Sequence, residues 1–215
     1  MAKHENLDSH WYRSDAKYLP QQANRLDATD KFSGVQNPPA VADFWQWAYS
    51  DLRDNAIRGV LGEFIVATAL GIELSTRQSW DPWDLTTSSG IRLEIKTSAF
   101  LQNWPQQKQS SIVFGGLKAR SWASEKGRYS DEADYHADVY VFCVQRSRNH
   151  AEYNVLDFNQ WEFYVVPVFA LQDYGGKTIT EAKVIGMGFK PCSYSELGQN
   201  LAVSAPLESL LATRV

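Results

Sequence analysis

The stretch Ala137–Gln145, reading ADVYVFCVQ, is nearly continuous apolar and rich in β-prone residues. Such a run is the signature of a central, buried strand, and the fold must be built round it. Trp161–Val168, WEFYVVPV, is a second strand of similar character. Its Pro167 marks a strand end or an edge, because proline cannot donate to a ladder. Cys143 lies inside the first strand and reads as a buried structural thiol. Cys192 is far from it in sequence, the pair fits no metal-ligand pattern, and a reducing cytoplasm suits this usage.

Upstream the period changes from strand-like to helical. Asn37-Pro38-Pro39 is a helix-start signal, and Val41, Phe44, Trp45 and Ala48 then recur at helical spacing. A longer helix is expected from Leu52 to Leu70, capped by Ser50 or Asp51 and stopped at Gly71. Its expected core face is Ile57, Val60, Leu61, Phe64 and Thr68. Gly59 and Gly62 each cost such a helix about 1 kcal/mol against alanine, and close approach to a sheet is a reason for them. Trp83–Thr87 and Ile91–Phe100 read as strands joined by the turn Ser88-Ser89-Gly90, and Ser110–Gly116 as a third. Leu117–Tyr135 must hold a crossover, helical from Leu117 to Lys126. Thr180–Gly186 reads as a short helix, and Ser193–Glu196 has capping-box form and opens a helix through Leu201. The expected fold is α/β (α+β), with a mixed central β-sheet flanked by helices.

With 215 residues, the chain is long enough for one domain with a sizeable core. Residues 1–36 read as a partly irregular arm, 37–203 as the domain and 204–215 as a tail. No apolar run reaches membrane-spanning length, and the polar start MAKHENLDSH is no signal peptide. The net charge of −4 gives no global attraction for nucleic acid, although phosphate contacts need only a local patch. His4, His10, His136 and His150 have no zinc spacing, and His136, between Asp134 and Asp138, reads as a loop residue. There is no P-loop, GxSxG or GxGxxG, and Gly186-Met187-Gly188 is too short for a nucleotide fingerprint.

Chemistry is concentrated in Trp80–Gln102. The turn at Ser88–Gly90 brings Asp84 towards Glu94 and Lys96. Arg92, Glu94, Lys96 and Ser98 point one way along their strand, and Ile91, Leu93, Ile95 and Thr97 the other. Magnesium takes oxygen ligands, commonly one or two carboxylates with substrate phosphate and water. Asp84 and Glu94 supply those carboxylates, the Ile95 carbonyl adds a donor, and Glu63 on the preceding helix serves a second metal or a metal-bound water. Lys96 would orient water or stabilise the transition state rather than act as a neutral base, since neighbouring carboxylates favour its charged form. Ser98 and Gln102 continue its face towards a scissile phosphate. Asn55 and Arg58 share a helix face suited to phosphate or to water.

Asp84, then Glu94-Ile95-Lys96, with Glu63 upstream, resembles the PD-(D/E)XK nuclease superfamily, whose fold is restriction-endonuclease-like. The resemblance covers roughly Leu52 to Gln145. It implies metal ligands at Asp84 and Glu94, a catalytic lysine at Lys96 and an accessory acid at Glu63. One departure is that Trp83, not proline, precedes Asp84, with Pro82 one place earlier. The implied activity is a magnesium-dependent endonuclease (manganese as substitute) hydrolysing DNA, for which a homodimer would suit double-strand cutting. The rival is a non-catalytic nucleic-acid-binding or assembly module that keeps the nuclease fold.

Overall fold

The computed structural model describes residues 23–77, 81–120, 122–123 and 128–204. Most of the expected arm and nearly all of the expected tail lie outside the described residues. The central strand is as expected. β6 (Val139–Gln145) is buried along its whole length. It pairs in parallel with β2 (Arg92–Ala99) and antiparallel with β7 (Trp161–Pro167). The short β1 (Leu85–Thr86) pairs antiparallel with β2, giving a mixed four-stranded sheet in the order β1-β2-β6-β7. Pro167 ends β7 at the sheet edge and caps α3 (Val168–Tyr174), a helix not anticipated from the sequence.

The sheet is covered on both faces, which is why β6 carries no polar alternation. On one face Leu93, Ile95, Val141, Cys143, Phe163 and Trp161 pack against Ile65 and Val66 of α2 (Asn55–Ala69) and Leu197 and Leu201 of α5 (Leu197–Ser204). On the other face Tyr140, Phe142, Val144, Tyr164 and Val166 pack against Leu171 of α3 and Val184 of α4 (Glu181–Gly186). The helix at Thr180–Gly186 and the capping box at Ser193–Glu196 are present as expected, the box opening a 3-10 turn that leads into α5. Both cysteines are buried and unpaired. Among the described residues, no helix is long and apolar enough to cross a membrane.

Several expectations are corrected. The α2 cap is Asp54, whose carboxylate accepts from Ala56 N at 2.9 Å and Ile57 N at 3.3 Å, rather than Ser50 or Asp51. The buried face of α2 runs through Arg58, Gly62, Ile65 and Val66, while Val60 and Phe64 are exposed. The reason lies at Gly62, where a Cβ would collide with Thr97 Oγ1, so the helix turns its smallest residue to the sheet. Gly59 meets nothing within 4 Å and has no such role. In α1 (Val41–Tyr49) only Val41 is buried, and Phe44 and Trp45 of the expected apolar face are exposed. The expected third strand is β3 (Val113–Phe114), but it pairs with β8 (Ile179–Thr180) and stays out of the central sheet. The crossover is not helical among its described residues. It forms a bridge between Ala119 and Asp134 and a ribbon of β4 (Trp122–Ala123) with β5 (Arg128–Tyr129), whose ladders use the groups a helix would need.

Candidate active site

The β1–β2 hairpin builds the site. Gly90 takes φ +83, the left-handed backbone that a glycine adopts without cost, and Thr87 N closes the turn on Ile91 O at 2.9 Å. The register Leu85↔Leu93, carried one residue further, sets Asp84 opposite Glu94, and Asp84 N donates to Leu93 O at 2.9 Å. The Asp84 carboxylate then accepts from Ile95 N at 2.7 Å. Glu94 and Lys96 pair in register with Tyr140 and Phe142 of β6, so their side chains leave the sheet on the α3/α4 face. Glu63 arrives on α2, next to the glycine that lets this helix approach the sheet.

Two cations enter the cluster. Lys96 Nζ donates to Glu94 Oε1 at 2.5 Å. Arg77, not anticipated from the sequence, grips Glu63 with both prongs of its guanidinium, Nε to Oε2 at 2.5 Å and Nη2 to Oε1 at 2.6 Å. It lies in the segment between α2 and the hairpin, where no periodicity singles out one arginine. Its own pKa is raised, first by the Glu63 hydrogen bond and also by the charges of Glu63 and Asp84.

Among the described residues, Glu63 and Glu94 are each hydrogen-bonded to a cation, whereas Asp84 accepts from the Ile95 amide and feels the charges of Lys96 and Arg77. Burial, followed by the charges of Glu94 and Glu63, pushes its carboxyl up to about 7. Glu94 is also raised, by burial first, although Lys96 opposes it. The cluster thus holds more negative charge than its own lysine and arginine neutralise.

That surplus and an all-oxygen donor set fit a hard cation such as magnesium, which needs only one or two protein carboxylates. Asp84 and Glu94 are the residues that would hold it, with Glu63 behind them. Among the described residues, no three His, Cys, Asp or Glu side chains are gathered closely enough to form a ready metal cage. Ile95, whose carbonyl is the further expected donor, also holds Asp84 through its amide.

The expected substrate residues lie elsewhere. Arg58 is only 3% exposed. It donates to Gln102 Oε1 at 3.0 Å, Arg53 O at 2.8 Å and the Asn55 carboxamide oxygen. Gln102 is itself buried and donates to Ala99 O and Ser110 Oγ, both at 3.1 Å. Asn55, Arg58 and Gln102 thus tie the start of α2 to the end of β2, a structural use of groups expected to meet phosphate. Ser98 is on β2 beyond Lys96 and is buried.

No protein-family model matches the chain, and no curated protein matches it.

Proposed function

We propose that the protein is a metal-dependent phosphodiesterase acting on nucleic acid, with DNA as its substrate, and that its fold is restriction-endonuclease-like. The observation that carries this reading is the pairing of Asp84 with Glu94 and Lys96 on one hairpin, with the charge of Glu63 acting on both carboxylates and Asp84 pushed up to about 7. A structural ion-pair network gains nothing from a buried acid in excess of its cations, whereas a cation site uses one.

When bound, magnesium supplies an activated water and neutralises charge on the phosphoryl oxygens. The chain's own residues do the rest. Asp84 and Glu94 would hold the cation, and Ile95 N fixes the Asp84 carboxylate through its hydrogen bond. Lys96, one strand repeat from Glu94 on the same face, presents a fixed positive charge to a phosphate seated over the hairpin. Glu63 stands behind the carboxylates, its charge largely balanced by Arg77.

The test is incubation of the protein with plasmid, linear duplex and single-stranded DNA, and RNA, in Mg²⁺ or Mn²⁺, beside Lys96→Ala and Asp84→Ala. The parent is expected to cleave, and Lys96→Ala to lose about 10²- to 10³-fold in rate, as for other removed electrostatic groups. Cleavage by both variants at the parental rate, or by none of the three proteins, would refute the proposal. Binding without cleavage by the parent would instead support a non-catalytic module.

A further inference from the structure

The segment leaving β3 passes directly over the site. Gly116 has φ +66, and a Cβ on it would lie 3.9 Å from Lys96 Nζ. From there the backbone is pinned at Leu117 and Ala119. Leu117 N donates to Lys177 O at 3.1 Å, and Leu117 O accepts from the hydroxyl of Tyr140, the register partner of Glu94, at 2.8 Å. Ala119 pairs with Asp134 through both backbone bonds, at 3.0 and 2.9 Å. Its carbonyl also meets His136 Nε2 at 2.8 Å. That contact sets the His136 ring against the strip.

This fixed strip carries Lys118 and Arg120 at alternate positions. Gly115, Gly116, Ala119 and Arg120 are exposed, and Lys118 is half-buried with its ammonium 4.8 Å from the Tyr135 ring centroid. In a chain of net charge −4, Lys118 and Arg120 bring two cations to the strip beside the carboxylate cluster, with Asp134 across the bridge from Ala119. Gly115 and Gly116, without side chains, leave the backbone exposed at the same surface. A surface lysine merely seeking solvent needs no such anchoring.

We propose that Gly115–Arg120, with His136 beside it, is the track for the phosphodiester backbone of the substrate, Lys118 and Arg120 each contacting a phosphate that flanks the one at Lys96. The proposal rests on the phosphodiesterase reading of the carboxylate site. It replaces Arg58, Asn55 and Gln102, which are engaged with one another, as the substrate-binding residues.

Binding is measured by fluorescence anisotropy in EDTA, using a labelled DNA duplex, one of its strands alone, and RNA of the same sequence, across a salt series. The full chain is compared with Lys118→Glu/Arg120→Glu, and with Lys31→Glu/Lys190→Glu as an equal charge change elsewhere. The strip variant is expected to bind about tenfold more weakly or worse. Its log Kd–log salt slope should shrink by about 1.8 on duplex or about 1.4 on single strands, for two lost phosphate contacts. The distant variant should stay within about twofold of the parent. Which of the three ligands loses most identifies the backbone form that the strip fits. Equal binding by parent and strip variant, equal weakening in both variants, or no binding by the parent to any ligand, would each overturn the proposal. Binding that depends on Lys118 and Arg120, without cleavage in Mg²⁺ or Mn²⁺, would leave the strip standing and remove the catalytic reading instead.

Discussion

Asp84→Asn is expected to stabilise the metal-free protein by an amount that grows as pH rises from about 4 and is complete above about 7. The folded chain raises the Asp84 carboxyl from 3.8 to about 7, through burial first and the charges of Glu94 and Glu63 second. Between those values the folded state holds a proton that the unfolded state has released, so stability falls as pH rises through that window. At 1.36 kcal/mol for each pH unit, the ceiling is about 4 kcal/mol at pH 8. Part of this is recovered where the carboxylate rotates towards water, and we expect about 1–3 kcal/mol from removing the charge. Asparagine keeps an oxygen to accept from Ile95 N, so the 2.7 Å hydrogen bond survives the exchange. Urea unfolding in EDTA at pH 8 and pH 4 measures both ends. The gain should be present at pH 8 and absent at pH 4, where the parental Asp84 is protonated in the folded chain. Added Mg²⁺ should stabilise the parent by mass action and leave Asp84→Asn almost unmoved. A variant no more stable than the parent at pH 8, or equally more stable at both pH values, would refute the electrostatic account of the site.

Three further outcomes follow from the packing and the ion pairs. Arg77→Ala removes the cation that holds Glu63, so the site becomes more negative. Calorimetry should show Mg²⁺ bound several-fold more tightly, and weaker binding would mean that Arg77 supports the metal site. Gly62→Ala places a Cβ against Thr97 Oγ1 and should cost about 1–3 kcal/mol in urea unfolding, most of it restored by Thr97→Ala in the double variant. Arg58→Ala leaves Gln102 and Asn55 without their buried partner. It should cost about 2–4 kcal/mol while changing nucleic-acid affinity by less than about twofold, and a loss of affinity at unchanged stability would return Arg58 to the substrate site.

The parts of the molecule governed by short-range rules were legible in the sequence. The apolar runs at Val139–Gln145 and Trp161–Pro167 have to be buried wherever they sit, and Ser88-Ser89-Gly90 has to turn. Hence the hairpin and the approach of Asp84 to Glu94 and Lys96 could be anticipated. The buried face of α2 could not, because hydrophobicity pointed to Val60 and Phe64 while the fit to the sheet was decided by a missing side chain at Gly62. Arg58 carries the same lesson. A charged residue expected to face phosphate or water is buried with Gln102, far along the chain, as one of its acceptors, and no local pattern encodes that pairing. The third strand was recognised as extended, but its partner β8 lies beyond the reach of any local signal. Arg77 had no pattern to announce it at all.

The topology also has a kinetic consequence. Asp84, Glu94 and Lys96 belong to one hairpin, which closes locally, on a timescale of about 1–10 μs for such units. The parallel pairing of β2 with β6 must wait for distant chain to return, as the Arg92–Asp138 contact across 46 residues shows. The reactive groups are therefore assembled early and made rigid late. Truncations in β6 such as Val141→Ala should act on the slow folding step without touching a site residue. The hairpin is expected to hold its carboxylates together, mutual repulsion included, before the sheet that buries them exists.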